Sequence, residues 1–146
     1  MKKILVPVDS SEYSKKGVEM AKKFAKAFDS EVVLLYVVSL KISAYWYDTS
    51  IPQPQLLESI IESEKVYAEE LMNNYRNSFE DRKEKVEIVL LEGIIADEII
   101  EYINTNDIDL VIMGSHGIGS ALHRTLLGSV ANKVLHYSEK PVLVIK

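Results

Sequence analysis

The sequence predicts an α/β protein: a single open parallel sheet with helices on both faces. Three observations carry that prediction. Five short runs are dense in branched apolar residues: KKILVPV (2–8), EVVLLYVV (31–38), KVEIVLLEG (85–93), IDLVIMG (108–114) and KPVLVIK (140–146). Most of these runs are apolar without alternation, the pattern of strands buried on both faces. The segments between them carry apolar residues at helical spacing, and strands that alternate with helices build a parallel sheet.

Each element follows in order. The first run leads into DSSEYSKKGVEMAKKFAKAFDS (9–30), where Tyr13, Gly17, Val18, Ala21, Phe24, Ala25 and Phe28 fall at helical spacing. Asp9 and Glu12 have the three-residue offset of a capping box, which predicts the helix start there. Lys15, Lys16, Lys22, Lys23 and Lys26 make up its wet face. After the second run, SLKISAYWYDTSIPQPQ (39–55) has no period and contains Pro52 and Pro54. That is long for a structureless connection in a compact domain and predicts a functional loop. Leu56, Leu57, Ile60, Ile61, Tyr67, Ala68, Leu71, Met72 and Tyr75 then mark a long helix. IIADEIIEYINTND (94–107) forms a shorter one with Ile95, Ile99 and Ile103 on one side, and GSVANKVLHYSE (128–139) forms the last. Pro141 opens the final strand, where no ladder donor is required.

The 146 residues suit one domain spanning 1–146, with no repeat, low-complexity tract or boundary. Hydrophobic residues make up 47% and charged residues 27%, with a net charge of −5, which argues against a general nucleic-acid binder. There is no cysteine, so disulfides and thiolate metal sites are excluded. No apolar run approaches the ~20 residues of a membrane span, and MKKILVPVDS turns polar too soon for a signal peptide. The expectation is a cytoplasmic protein with no membrane or nucleic-acid partner.

MGSHGIGSALHRTLLGSV (113–130) holds four of the six glycines. It begins at the carboxyl end of the fourth strand, where open parallel sheets bind ligands. Gly114 and Gly117 would let the backbone pass close to a ligand. Gly128 and Ser129 precede a helix, whose first N–H groups lack partners and favour an anion. A phosphate chain suits this arrangement. Two phosphate motifs nevertheless fail. Gly114 to Gly119 has P-loop spacing, but Ser120 and Ala121 replace its lysine and hydroxyl residue. Gly117-Ile118-Gly119 opens a dinucleotide fingerprint, but Leu122 stands in place of its third glycine.

The stretches ILVPVDSSE, VVLLYVV, DLVIMGSHG, LLGSVANKVL and PVLVIK together resemble the universal stress protein family along essentially the whole chain. Nucleotide-binding members carry glycine, two residues, glycine, nine residues, then glycine with serine or threonine. Here ten residues, 118 to 127, separate Gly117 from Gly128-Ser129, and the surplus residue is assigned to the glycine-rich IGSA stretch. The resemblance implies the strand order 3-2-1-4-5. It also implies that Pro7, Val8 and Asp9 face an adenosine, with Asp9 accepting a hydrogen bond from ribose or base. Val37 would pair its backbone with the adenine edge. Met113, Gly114, His116 and Gly117 would line ribose and phosphates. Gly128, Ser129 and Val130 would hold phosphate through backbone N–H groups and the serine hydroxyl. The implied ligand is ATP with Mg²⁺ held mainly by the phosphates, with AMP or cyclic AMP as the other candidates.

Simpler roles stand beside these. Asp9 and Ser129 also suit helix caps. His116 is open between ligand contact and none. His123 and His136 have no metal-ligand spacing and are read as surface or packing residues, Arg124 as an exposed helix residue. Tyr45, Trp46 and Tyr47 are read as loop packing. No lysine of P-loop or kinase type and no Ser-His-Asp arrangement can be singled out, so a binding protein is expected rather than an enzyme. The alternatives are a slow ATPase or phosphotransferase and a nucleotide-free interaction module. The run Val142 to Ile145 predicts an edge strand covered by its own copy, giving a homodimer through 141–146.

Overall fold

The computed structural model describes residues 1–39, 54–118 and 126–146. The strands are β1 (Lys3–Pro7), β2 (Glu31–Ser39), β3 (Val86–Gly93), β4 (Leu110–Gly114) and β5 (Val142–Ile145). They form one sheet in the order β3-β2-β1-β4-β5. Every pairing is parallel, from Lys3↔Glu31 to Pro7↔Leu35 between β1 and β2, and Ile4↔Leu110 between β1 and β4. The expected fold class and strand order both hold.

The helices among the described residues are α1 (Glu12–Phe28), α2 (Pro54–Asn77), α3 (Ile95–Thr105) and α4 (Ser129–Tyr137). Successive strand residues point to opposite faces, so β1 feeds two cores. Ile4, Val6 and Val8 pack with Val18, Ala21 and Ala25 of α1 and with Ala68 and Met72 of α2. Leu5 packs on the other face with Ile99 and Ile103 of α3 and with Ala131 and Val134 of α4. Ile4, Leu5 and Val6 are fully buried, which is why this run carries no alternation. β5 is different. Its four residues are only half-buried and it pairs β4 on one side, as befits a sheet edge.

Two local expectations need correcting. α1 begins at Glu12 behind Ser11, whose hydroxyl accepts from the Ser14 N–H at 3.1 Å. Asp9 instead accepts the Ser11 N–H at 2.8 Å. Ser11 stands three residues before Ser14, so the helix takes its cap there and Asp9 is drawn into the preceding turn. Between α2 and β3, a six-residue 3₁₀ stretch, Glu80–Lys85, takes the lysine that was expected to open the strand. The aromatic trio Tyr45, Trp46 and Tyr47, and His123 with Arg124, lie outside the described residues. His136 is exposed on α4, its ring bonded to the Asn132 carbonyl one turn back.

Candidate functional site

Because all five strands run the same way, the chain leaves β1, β2, β3 and β4 at one end of the sheet. A cleft of about 480 Å³ opens there. All eleven expected residues line it: Pro7, Val8, Asp9, Val37, Met113, Gly114, His116, Gly117, Gly128, Ser129 and Val130. They come from the ends of three strands and the start of α4, so only the sheet topology brings them together.

Part of the lining is apolar. Val37 and Met113 form its floor, and Ile94, Ile95, Ala96 and Ile99 at the start of α3 form its wall. Ile94 is 47% exposed here, an apolar surface that a flat hydrophobic ligand would cover. Sequence reasoning missed this wall. The signal was present: the residues after β3 sit at a strand's carboxyl end, as do those after β1, β2 and β4. Lys133 was missed too. It lies four residues after Ser129, one helical turn along α4, and its ammonium pairs with Asp97 of α3. Among the described lining residues it is the only lysine or arginine, so an anion here must rely mainly on backbone groups.

The α1 side of the cleft is polar and acidic. Asp9 is half-buried at the end of β1, and its Oδ2 points towards Gly117, 3.1 Å from where a β-carbon on that glycine would sit. Tyr36 and Glu64 also line the cleft, and the Tyr36 hydroxyl donates to Glu64 at 3.4 Å. Burial, then the Glu64 charge, pushes the Tyr36 phenol up to about 12, so it remains a neutral donor near pH 7.

The glycines turn out to have different tasks. A β-carbon on Gly114 would lie 2.8 Å from the Tyr13 backbone, so this glycine also seats α1 against β4. Gly128 is packed less tightly: a β-carbon there would lie 3.1 Å from the Ser115 carbonyl oxygen and 3.2 Å from the His116 α-carbon. Gly117 is exposed, and a β-carbon on it would lie 3.1 Å from the Asp9 carboxylate, so a larger side chain here would crowd that side of the cleft. Gly119 lies outside the described residues.

The α4 start differs from what was expected in one respect. The Gly128 N–H donates to the Ser115 carbonyl at 2.8 Å, so it is already engaged within the protein. Gly128 is the N-cap and provides no side-chain cap, while Ser129 is the first helical residue. Ser129 is therefore not the cap, and it is exposed at the cleft. The first helical turn leaves the N–H groups of Ser129, Val130 and Ala131 without intrahelical acceptors. β5 supports the same junction, since Ile145 accepts the Ser115 N–H at 2.8 Å. Among the described residues, no group of three His, Cys, Asp or Glu side chains could hold a metal ion, and no helix is long and apolar enough to cross a membrane.

The model of the universal stress protein family matches residues 1–146. Universal stress protein MJ0531 of Methanocaldococcus jannaschii is 36% identical, over 99% of this chain and 82% of that protein. The solved structure of hypothetical protein MJ0577 superposes with a TM-score of 0.85 at 32% identity, covering 99% of this chain and 95% of that one. Two more distant structures share the fold. One is an Arabidopsis thaliana family member with AMP bound, at TM-score 0.67 and 19% identity, covering 100% of this chain and 92% of that one. The other is a universal stress protein in complex with cAMP, at TM-score 0.60 and 18% identity, covering 99% and 95%.

Proposed function

This chain belongs to the universal stress protein family, and from that premise we propose that its cleft binds an adenine nucleotide, ATP by preference, and that occupancy rather than turnover is its active property. The observation that carries the reading is the α4 start. A helix that offers free N–H groups and the Ser129 hydroxyl, and no side-chain cap of its own, lines a cleft that also carries an apolar wall. Phosphate suits the helix start and a purine the apolar wall. The AMP and cAMP held by two relatives of the same fold support the class of ligand. A divalent cation such as Mg²⁺ would ride on the phosphates, with Asp9 the carboxylate nearest to Gly117.

The test is direct. The purified protein is denatured and any released nucleotide identified by mass, and ATP is then titrated by calorimetry. Binding in the micromolar range is expected. No retained nucleotide, together with no heat from ATP, AMP or cyclic AMP at millimolar levels, would leave the nucleotide-free interaction module as the better reading. Hydrolysis is expected near background, because Lys133 is the only described cationic side chain in the cleft and it is already paired. We propose further that the half-buried, one-sided β5 pairs with its copy to form a homodimer through 141–146. Light scattering tests this, with Val144→Lys shifting dimer towards monomer.

A further inference from the structure

His116 lines the cleft, yet its ring is engaged by the protein at both nitrogens. Nε2 meets the Leu126 carbonyl, and Nδ1 meets the Ser115 hydroxyl at 2.8 Å. A carbonyl only accepts, so Nε2 must carry the proton. In the neutral ring Nδ1 is then the acceptor, and the Ser115 hydroxyl donates to it. The ring is buried, 9% exposed, and packs against Tyr13 of α1 with centroids 5.0 Å apart. The backbone bond from Gly128 to Ser115 lies alongside.

We propose that His116 is a positioning residue: its imidazole clips the chain leaving β4, at Ser115, to the chain entering α4, at Leu126, and so aims the α4 N-terminus at the anion. This deepens the nucleotide reading and rests on it. The clip also accounts for the surplus residue before Gly128. The returning chain is fastened at Leu126 and Gly128, so the register of Ser129 is set by those bonds, whatever the length of the span between. An extra residue inside a helix would instead have turned everything after it by roughly 100°.

The experiment has a ligand-free part and a ligand part. Long-range ¹H–¹⁵N spectra of the unliganded protein should show His116 with Nε2 protonated and Nδ1 bare. His116→Leu should speed exchange of the Gly128 amide at least tenfold. A ring protonated at Nδ1, or unchanged Gly128 exchange, would overturn the clip whether or not nucleotide binds. In calorimetry, His116→Leu should weaken ATP at least tenfold and leave adenosine, which has no phosphate, within twofold. His116→Gln, whose amide can donate to Leu126, should recover most of the ATP affinity. Failure of the glutamine variant to recover it would point to direct phosphate contact, and equal losses for ATP and adenosine to a general structural defect; either result overturns the proposal. If His116→Leu does not fold, the wild-type spectra and the glutamine variant still decide. If the wild type binds neither ligand, the nucleotide reading fails, and the spectra alone decide whether the clip exists.

Discussion

α1 and α4 both begin at the carboxyl end of a strand, and both starts line the cleft, yet they are finished in opposite ways. At α1 the protein satisfies itself. Ser11 caps the Ser14 N–H, Asp9 takes the Ser11 N–H, and the Ser14 hydroxyl takes the Asp9 N–H at 3.0 Å. At α4 there is no side-chain cap, and the first turn is left with donors to spare. A helix end closed by its own side chains contributes to stability. One left open costs some stability and gains an anion site. Position relative to the cleft does not distinguish the two starts. The cap does.

Breaking the seat of α1 should have the largest effect. Gly114→Val drives a side chain into the Tyr13 backbone, and overpacking of this kind costs about 3 kcal/mol. Urea denaturation should show the loss, and an unchanged midpoint would mean that α1 can shift at no cost. Next comes Gly117→Val, which fills the space beside Asp9 and should weaken ATP at least tenfold, about 1.4 kcal/mol. Its urea midpoint should move little, because Gly117 is exposed.

Ser11→Ala sharpens the comparison from the stability side. Loss of an N-cap costs about 1 kcal/mol, visible in the urea midpoint, while ATP affinity should stay within twofold. Ser129→Ala is the mirror image and the smallest effect. Only one hydroxyl donor is lost and the helix N–H groups remain, so ATP should weaken by about threefold, near 0.6 kcal/mol. Stability should not change. If Ser129→Ala lowered the urea midpoint as much as Ser11→Ala, the two helix starts would not differ in kind.

Much of this was legible in the sequence. Unbroken apolar runs such as Ile4-Leu5-Val6 report burial on two faces, and their alternation with helical segments points to a covered parallel sheet. Of the eleven cleft residues, Gly114, Gly117, Gly128 and Ser129 are marked by the glycine cluster and the helix start, whereas Pro7, Val8, Asp9, Val37, Met113, His116 and Val130 came from the family resemblance. What was not legible depended on contacts between distant segments. Nothing in GSHG says that Gly114 is needed against Tyr13 and Gly128 against Ser115, because those neighbours meet only after folding. The capping box at Asp9 and Glu12 misled for a related reason. Ser11 offered the same oxygen two residues closer to the helix, and local spacing cannot rank two adequate caps. The α3 wall was overlooked because isoleucines such as Ile94 and Ile95 read as core in any pattern scan, although Ile94 faces the cleft.

The bond from Ser115 to the carbonyl of Ile145 bears on the order in which the molecule is made. β5 is the last strand of the fold, and β4 pairs it from Val111↔Val142 to Gly114↔Ile145. While the chain emerges from the ribosome, β1 to β4 and the glycine segment are all present before that outer partner exists. Until β5 arrives, the Ser115 N–H lacks its acceptor and the junction holding Gly128 has one support fewer. A nascent chain thus forms the cleft before the bond that braces Ser115 from outside is available. Chains stalled on the ribosome before Val142 should exchange the Ser115 amide proton quickly, and chains extended past Lys146 should protect it.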